Sequence, residues 1–341
     1  MNLTEFAKRV GYSVSTVSRA LNGYHDVNED TRREIIRAAE ALGYAADPSA
    51  RRLRKGNSGL VAFVLSSPQK QFASPFFLDM IVGVNERLRD TELQLIVTSA
   101  PSFEAELESL KQLVQRQRVD GVIFARTRKH DDRIEYLQDK KVPFVTHGRS
   151  ETGEPFAYLD IDHEVVGRDG CARFIALGHQ RIALLNTPDE LMFSHHRLQG
   201  YKTALAAANM PFDPVLVVEA DLTEEAGAAA ALKLLAKDNP PTAILCGNDL
   251  VAMGAMRAIS EIGRLPGQEV GVIGSDDNPF GRHMVVPLTT FTSPRIEAGK
   301  RIAELLLGAI DRQPATKLQE LWRPELVLRG SDGPPRRETR P

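Results

Sequence analysis

The stretch VSTVSRALNG, residues 14–23, decides the fold of the amino-terminal end of this 341-residue chain. A helix that begins at Val14, with Ser13 as its N-cap, places apolar and polar side chains on opposite faces. The polar face consists of Ser15, Ser18, Arg19 and Asn22. Hydroxyl groups can bond phosphate oxygens and an arginine can donate two hydrogen bonds to guanine, so this face suits the major groove of DNA. Taken alone, the same face also fits an ordinary solvated helix.

Two further helical patterns flank this stretch. The first spans residues 3–10, with Asn2 as N-cap, and ends at Gly11. The other spans residues 29–42 and ends at Gly43. Two short helices joined by a tight turn that contains glycine, with a third helix behind them, predict a helix-turn-helix unit.

Residues 45–59 form a connector between this unit and the rest of the chain. Four cations crowd into residues 51–55, which gives residues 1–56 ten lysines and arginines against seven acidic residues. The positive charge is local, because the whole chain carries a net charge of -2. The sequence permits a helix over residues 49–53, but that helix is too short and too charged to be stable alone.

From Leu60 onward, short apolar strands alternate with longer amphipathic helices. The predicted strands are 60–65, 93–97, 121–124, 143–146, 182–185, 215–218, 243–246 and 270–273. The predicted helices include 78–89, 104–116, 165–176 and 250–262. The segment 288–328 adds a strand, a helix and a final strand. The alternation predicts an α/β fold with parallel sheets, and its length predicts two lobes with a cleft between them.

The pattern divides the chain into four expected parts. They are a helix-turn-helix domain at 1–46, a linker at 47–59, a two-lobed domain at 60–329 and a disordered tail, rich in Pro, Gly and Arg, at 330–341.

Several classes of protein lack the sequence signals that they need here. Cys171 and Cys246 each lie in an apolar run, which indicates buried free thiols in a reducing cytoplasm rather than a disulfide or zinc framework. No export leader and no apolar run long enough to span a membrane is present. Acidic residues such as Asp160 and Asp276 have no suitably spaced histidine or cysteine, and no nucleotide-binding or nucleophile motif occurs. We therefore expect no cofactor, no metal and no catalytic residue.

The amino-terminal motifs together resemble the head-piece of the LacI/GalR family of repressors. The similar stretches are residues 14–23, 27–32 (VNEDTR), 41–44 (ALGY) and 48–53 (PSARRL). The resemblance implies that Val14, Ser15 and Arg19 meet base edges in the DNA. It also implies that the DNA backbone is held by Thr4, Ser13, Ser18, Asn22, Asn28 and Thr31. Since family members vary at Val14 and Ser15, the resemblance does not supply the operator sequence.

The same resemblance gives the connector a role as a hinge helix in the minor groove. In the family, one leucine from each subunit wedges into the central base step and kinks the duplex. Leu53 matches this leucine, and Ala50 matches the small residue on the same face. The alternative is a solvated basic linker in which Leu53 packs on its own domain. Asp47 departs from the asparagine often found before this proline, which puts one backbone contact in question.

The resemblance continues to about Arg329, where family members have a fold akin to that of periplasmic sugar-binding proteins. Planar groups such as Arg197, at the start of a predicted helix, and Asn248 and Asp276, after predicted strands, can bond neighbouring hydroxyls of a sugar. Phe76 and Phe77 offer aromatic faces. By resemblance, Arg197, Asn248 and Asp276 contact the effector; the alternative for each is a structural role as a helix cap or turn residue.

Other residues carry weaker signals. His147, Arg149 and Phe193 are further candidates for the cleft, with a structural role as the alternative. Leu222 stands about where some sugar-binding relatives have a stacking tryptophan, so specificity is expected to differ. His179 is expected to cap a helix end rather than to bind a ligand.

These implications predict a cytoplasmic, homodimeric transcriptional repressor that binds near-palindromic operator DNA. A mono- or disaccharide would close the cleft and change how the two hinge segments pack. Two alternatives stay open. A sugar-binding transport protein is disfavoured by the head and by the missing export signal, and an enzyme with a fused regulatory head would have to turn over candidate sugars.

Overall fold

The structure, a computed structural model, describes residues 1–21, 24–44, 58–66 and 75–335, except for the side chain of Gln117. The chain divides into two compact units, Met1–Gly59 and Leu60–Pro341. Residues 47–57 of the expected hinge, Ala50 and Leu53 included, lie outside the described residues. Within those residues, no helix has the length and apolar character needed to cross a membrane.

The amino-terminal unit contains the three predicted helices. They are α1 (Leu3–Val10), α2 (Val14–Leu21) and α3 (Glu29–Ala41). Asn2 and Glu5 form a capping box at the start of α1, and Gly11 ends that helix with a φ of 76°. The helix bounds agree with the sequence because the capping residues fix both ends of α1.

One small core holds these helices together. Phe6 of α1, Val17 of α2 and Ile35 of α3 are fully buried. The ring of Tyr44 stacks on Phe6, with the ring centroids 4.3 Å apart. Because every helix contributes to this core, none can move away without exposing apolar surface to water.

The larger unit is built from twelve strands and eight α-helices among the described residues. The strands are β1 (Leu60–Ser66), β2 (Gln94–Ala100), β3 (Gly121–Ala125), β4 (Phe144–His147), β5 (Ala157–Ile161), β6 (Ile182–Asn186), β7 (Val217–Glu219), β8 (Ala243–Cys246), β9 (Gly271–Ile273), β10 (Thr290–Phe291), β11 (Gln319–Trp322) and β12 (Leu326–Val327). The helices are α4 (Phe76–Leu88), α5 (Phe103–Gln112), α6 (Asp132–Asp139), α7 (His163–Ala176), α8 (Met192–Ala207), α9 (Glu224–Leu235), α10 (Asp249–Glu261) and α11 (Arg295–Ile310).

These elements form two lobes, each around its own parallel sheet. The first lobe has the strand order β11-β5-β4-β3-β1-β2, and the second has the order β7-β6-β8-β9. All neighbours in both sheets are parallel. Strands β10 and β12 form a separate antiparallel pair. Helix α11 and strand β11 belong to the first lobe although they follow the second lobe in sequence, so the described chain passes between the lobes three times.

Two strands of the first sheet have weak sequence patterns: β5 has no predicted counterpart, and the segment 288–328, for which one final strand is predicted, holds both β11 and β12. Strand β5 carries Asp160, which interrupts its apolar run, and β11 reads QELW with little apolar character. A polar side chain at a strand end that faces a cleft breaks the buried-strand pattern. The predicted strand 215–218 begins before the observed strand β7, because residues Pro214–Leu216 form a 3-10 turn that precedes it.

The expectation of a disordered tail from Gly330 is wrong for residues 330–335. The Ser331 hydroxyl donates to the Val272 carbonyl at 2.6 Å, and the Asp332 carboxylate pairs with Arg173 at 2.7 Å. The buried ring of His179 hydrogen-bonds the Gly333 carbonyl at 3.0 Å. Hydrogen bonds to polar side chains of the second lobe therefore outweigh the flexible composition of this segment. Residues 336–341 lie outside the described part of the chain.

Helices α7 and α8 touch backbone to backbone at two glycines. A Cβ on Gly167 would overlap the carbonyl oxygen of Arg197, and a Cβ on Gly200 would overlap that of Glu164. The same reciprocal contact joins α4 to α11 and α9 to α10, through Gly83 and Gly299 and through Gly227 and Gly254. The lack of a side chain at these glycines thus sets the short distance between the paired helices in both lobes.

We expect Gly200→Ala to destabilise the protein. Alanine would gain about 1 kcal/mol in helix propensity, but the overlap with a backbone carbonyl that cannot rotate away costs about 1 to 3 kcal/mol or more. Denaturant unfolding would measure the change, with the exposed Thr203→Ala on the same helix as control. A gain in stability for Gly200→Ala would contradict this account of the helix contact.

Candidate functional site

The recognition face predicted on α2 is only partly exposed. Val14 is 40% exposed, and Ser15 and Arg19 also face solvent. The Ser13 hydroxyl accepts from the Thr16 amide at 3.0 Å, so it caps the helix as expected. Ser18, however, is only 7% exposed, because α2 packs against two helices and its buried side is wider than its apolar stripe. The exposed part of the face is therefore smaller than the sequence suggested.

The other predicted DNA contacts are distributed over the same unit. Thr4 and Asn28 are exposed and Thr31 is half-buried. Asn28 uses its side-chain oxygen to accept from the Asp30 amide at 2.8 Å, as the N-cap of α3. Asn22 lies outside the described residues.

Arg19 is held by neighbours in the turn after α2. Its Nε donates to Asp26 Oδ1 at 3.1 Å, and its Nη2 donates to Asp26 Oδ2. The guanidinium carbon lies 5.5 Å from the centre of the Tyr24 ring. The Arg19 side chain, which is expected to contact bases, is therefore oriented by Asp26 and Tyr24 before any DNA is bound.

A cleft opens between the two lobes of the larger unit. It has about 710 Å³ of empty space, its solvent-facing mouth included. Its walls consist of Phe76, Phe77, Ala125, Arg126, His147, Gly148, Asp160, His163, Phe193, Arg197, Leu222, Gly247, Asn248 and Asp276. Most of these residues lie at the carboxyl ends of parallel strands, where α/β folds bind ligands. Seven of the eight residues considered for the effector site are among them, and Arg149 is not.

Arg197 is the central group of the second-lobe wall. Its Nη1 donates to Asn186 Oδ1 at 2.8 Å, and its Nη2 lies 3.2 Å from His163 Nδ1. Since a guanidinium only donates, His163 accepts at Nδ1 and is neutral. Burial lowers the pKa of Arg197 to about 10, and burial beside Arg197 lowers the pKa of His163 well below its usual value. The buried Arg197 Nε has no hydrogen-bond partner among the described residues.

Asp276 faces the same space from the loop after β9. Burial, reinforced by the charge of Asp249, raises the pKa of its carboxyl to about 8. Its backbone has a φ of 114°, and its carbonyl oxygen accepts from Arg295 Nη1. Within the described residues the carboxylate itself accepts no hydrogen bond, which leaves it available to a ligand.

Asn248 has the capping role considered for it and also lies on the cleft wall. Its Oδ1 accepts from the Val251 amide at 2.9 Å and caps α10. The Nδ2 group donates to no described residue although the side chain lies at the cleft wall. The cap fixes the amide so that its two remaining N–H donors have a defined direction.

The first-lobe wall is aromatic. The rings of Phe76 and Phe77 meet edge to face at 5.1 Å, and the rings of Phe76 and His147 do so at 5.5 Å. Burial lowers the pKa of His147 to about 4, so it is neutral at physiological pH. Arg149 lies behind this wall rather than on it, where its Nε donates to Asp160 at 2.7 Å.

Several lining residues had no sequence signal that assigned them to the cleft. Arg126 follows β3 and has a left-handed backbone with a φ of 55°. Asp160 is notable in the sequence only as a carboxylate without a suitably spaced histidine or cysteine, and His163 has no signal of its own. Leu222, in contrast, is the residue that the resemblance sets at the position of a stacking tryptophan; it lies beside Gly247, where an added Cβ would lie 3.5 Å from both Leu222 and Arg197. No group of three or more His, Cys, Asp or Glu side chains in the described residues is placed to hold a metal ion.

Two sets of contacts join the lobes beside the cleft. The Lys129 amide donates to the Glu190 carbonyl at 2.9 Å, and the Lys129 ammonium pairs with Asp189 at 2.7 Å. On another side, Arg295 Nε donates to Asp79 of α4 at 2.9 Å while its Nη1 holds the Asp276 carbonyl. Asp276 is therefore linked through one side chain to the first lobe.

Comparison with protein families gives two matches. The family described as "Bacterial regulatory proteins, lacI family" matches residues 2–47, and the one described as "Periplasmic binding proteins and sugar binding domain of LacI family" matches residues 59–319. The HTH-type transcriptional regulator AglR of Rhizobium meliloti (strain 1021) is 37% identical over 98% of this chain and 95% of that protein. Both family matches agree with the resemblance seen in the sequence motifs.

Solved structures show the same similarity. The transcriptional regulator CelR in complex with cellobiose is 32% identical, with 97% of this chain and 99% of that chain covered and a TM-score of 0.75. The lac repressor dimer bound to operator and the anti-inducer ONPF is 26% identical, with 97% and 98% covered and a TM-score of 0.81. These matches confirm the predicted combination of a helix-turn-helix unit with a two-lobed α/β domain.

We expect Asp276→Asn to stabilise the protein in the absence of ligand. The folded state holds the Asp276 proton up to about pH 8, whereas the unfolded chain releases it near the ordinary value of 3.8. The wild type therefore loses stability as the pH rises from 4 to 8, and asparagine removes this loss, on the order of 1 kcal/mol or more. Thermal unfolding at pH 5 and pH 8 would show a larger gain at pH 8. The exposed Asp238→Asn is the control, and an equal gain at both pH values would count against the buried carboxyl as the cause.

Proposed function

The chain belongs to the LacI family of bacterial regulatory proteins, and we propose that it is a transcriptional repressor whose binding to operator DNA is controlled by a sugar in the cleft. Its relatives are named as transcriptional regulators, so it is a regulator rather than an enzyme. We assign DNA binding to residues 1–46, the hinge to 47–59, and effector binding and dimerisation to 60–329. A cytoplasmic location follows from this function.

The observation that carries the sugar site is a set of unsatisfied polar groups on one wall. Arg197 Nε and Asn248 Nδ2 are donors without a described partner, and the Asp276 carboxylate is an acceptor without one. Neighbouring sugar hydroxyls donate and accept at once, so one ligand can satisfy all three groups. The aromatic rings of Phe76 and Phe193 suit the apolar faces of a sugar ring. The cellobiose bound to CelR supports this ligand class.

DNA binding is assigned to the exposed face of α2. We propose that Arg19 donates to a base and that Val14 and Ser15 contact neighbouring base edges in the major groove. Thr4, Ser13, Asn28 and Thr31 would contact the DNA backbone; Asn22 and the buried Ser18 are proposed from resemblance alone. A dimer, as in the lac repressor structure on operator, would place two such helices on a near-palindromic site.

Coupling between the sites is proposed to use closure of the cleft. A ligand held by Asp276 acts on the Arg295 link to Asp79, and so on α4 of the first lobe. A change in the position of the first lobes of a dimer would change how two hinge segments meet. Leu53 and Ala50 would then form or lose their minor-groove contact.

Two substitutions should separate the two functions. Arg19→Ala is expected to weaken binding to the operator by about 10- to 100-fold, since it removes a bidentate base contact. It should leave unchanged the rise in Tm that an active mono- or disaccharide produces. Asp276→Asn is expected to reduce the rise in Tm that the sugar produces and to leave the affinity for the operator unchanged. DNA binding to a duplex selected from a random pool, and thermal shifts with a sugar panel, measure both effects.

The outcomes also distinguish the alternatives. Arg33→Ala, which removes an exposed cation paired with Asp30 and Glu29, is the matched control for Arg19→Ala. If no duplex is preferred over bulk DNA while a sugar still raises the Tm, the chain is a sugar-binding protein without a DNA role. Turnover of a bound sugar would overturn the proposal in favour of an enzyme.

A further inference from the structure

We propose that Asp26 is a positioning residue that fixes the direction of Arg19 and thereby sets the preference for guanine at one operator position. This inference rests on the proposed function of α2 as the recognition helix. It adds a residue outside α2 that does not itself contact the base.

The geometry leaves only part of the Arg19 guanidinium available. Its Nε and one N–H of Nη2 are directed at the two oxygens of Asp26. The donors that remain are both N–H groups of Nη1 and the outer N–H of Nη2. These lie at the end of the side chain and match the spacing of guanine O6 and N7, so guanine can be bound without breaking the pair.

The turn that carries Asp26 is fixed on both sides. The Tyr24 amide donates to the Arg19 carbonyl at 3.1 Å, and the Val27 amide donates to the Tyr24 carbonyl at 3.3 Å. Arg32 of α3 donates to the same Tyr24 carbonyl at 2.6 Å, and Val27 is buried in the core of the unit. The position of Asp26 relative to α2 is therefore set by the packing of the domain.

Exposure indicates what the pair can contribute. The side chains of Arg19 and Asp26 are 46% and 50% exposed, so their ion pair adds little to the stability of the fold. Holding a long side chain in one orientation before binding reduces the entropy that binding has to overcome. The Asp26 charge also cancels the attraction of Arg19 for phosphates. The pair thus favours discrimination between bases over general attraction to DNA.

Asp26→Asn in the full-length protein tests this role. The probe is the duplex that the wild type selects from a random pool, together with variants in which each G·C pair in turn becomes A·T. We expect wild-type discrimination at one guanine of about 10- to 100-fold to fall at least fivefold in Asp26→Asn. Affinity for random DNA should rise a few-fold, with a steeper dependence on salt, since one negative charge near the phosphates is gone.

Asp30→Asn supplies the matched control. It removes the same charge from the same unit, so it should also raise the affinity for random DNA, but it should leave the guanine discrimination unchanged. A double-mutant cycle completes the test: in an Arg19→Ala background, Asp26→Asn should no longer alter discrimination. The cycle distinguishes a role exerted through Arg19 from a general loss of structure, which far-UV circular dichroism and Tm would also reveal.

Two results would overturn the inference. One is unchanged guanine discrimination in a folded Asp26→Asn variant. The other is tighter operator binding with discrimination retained, which would mean that Asp26 competes with DNA for Arg19 instead of presenting it. Failure of the wild type to select any duplex would instead refute the proposed DNA-binding function itself.

Discussion

Arg197 and Asp276 are buried in one cleft without an ion pair between them in the described structure, and the second lobe is organised around this constraint. Burial of ionisable groups without full compensation destabilises a fold. Asn186 and His163 satisfy only one edge of the guanidinium, and Arg295 binds only the backbone of Asp276. A ligand that supplies hydrogen-bond partners to these groups would offset this cost, which supports the proposal that the cleft binds a polar molecule.

The first lobe treats buried charge in the opposite way. Arg133 is fully buried and donates to Glu106 at 2.7 Å and to Asp131 at 2.6 Å. It also donates to the carbonyls of Ala125 and Arg126, which line the cleft. A buried network of this kind fixes geometry, because removing Arg133 would leave two buried carboxylates without their guanidinium partner. The first lobe therefore contributes a wall of fixed geometry to the cleft, and the second lobe contributes the polar groups that lack partners.

The sequence predicted the main polar groups of the cleft better than the complete set of residues that line it. Asn248 and Asp276 follow strands, where topology brings polar ends together, so their convergence could be inferred; Arg197 lies within α8, and the family resemblance rather than topology assigned it to the cleft. The positions of Arg126 and Asp160 in the cleft could not be inferred. Arg126 has an unusual backbone conformation, and the charge of Asp160 interrupts the apolar pattern by which strand β5 would have been predicted. Ser18 is more buried than the helical pattern indicates, because helical periodicity gives the direction of a side chain but not the extent of the neighbouring helices. The ordered segment 330–335 depends on contacts with residues far away in sequence, which composition cannot register.

The described chain passes between the lobes three times, so each lobe is built from segments that are far apart in sequence. This arrangement limits the order in which the lobes can fold. The first sheet receives β11 only after the second lobe has been synthesised, and Ser331 completes the second lobe at the strand that ends in Ile273. Neither lobe can therefore be completed before residues 319–331 have been synthesised, whereas the three local helices of the amino-terminal unit can fold earlier. A polypeptide interrupted before β11 would present a finished amino-terminal unit attached to a body with incomplete sheets, and exposed strand edges of that kind promote aggregation.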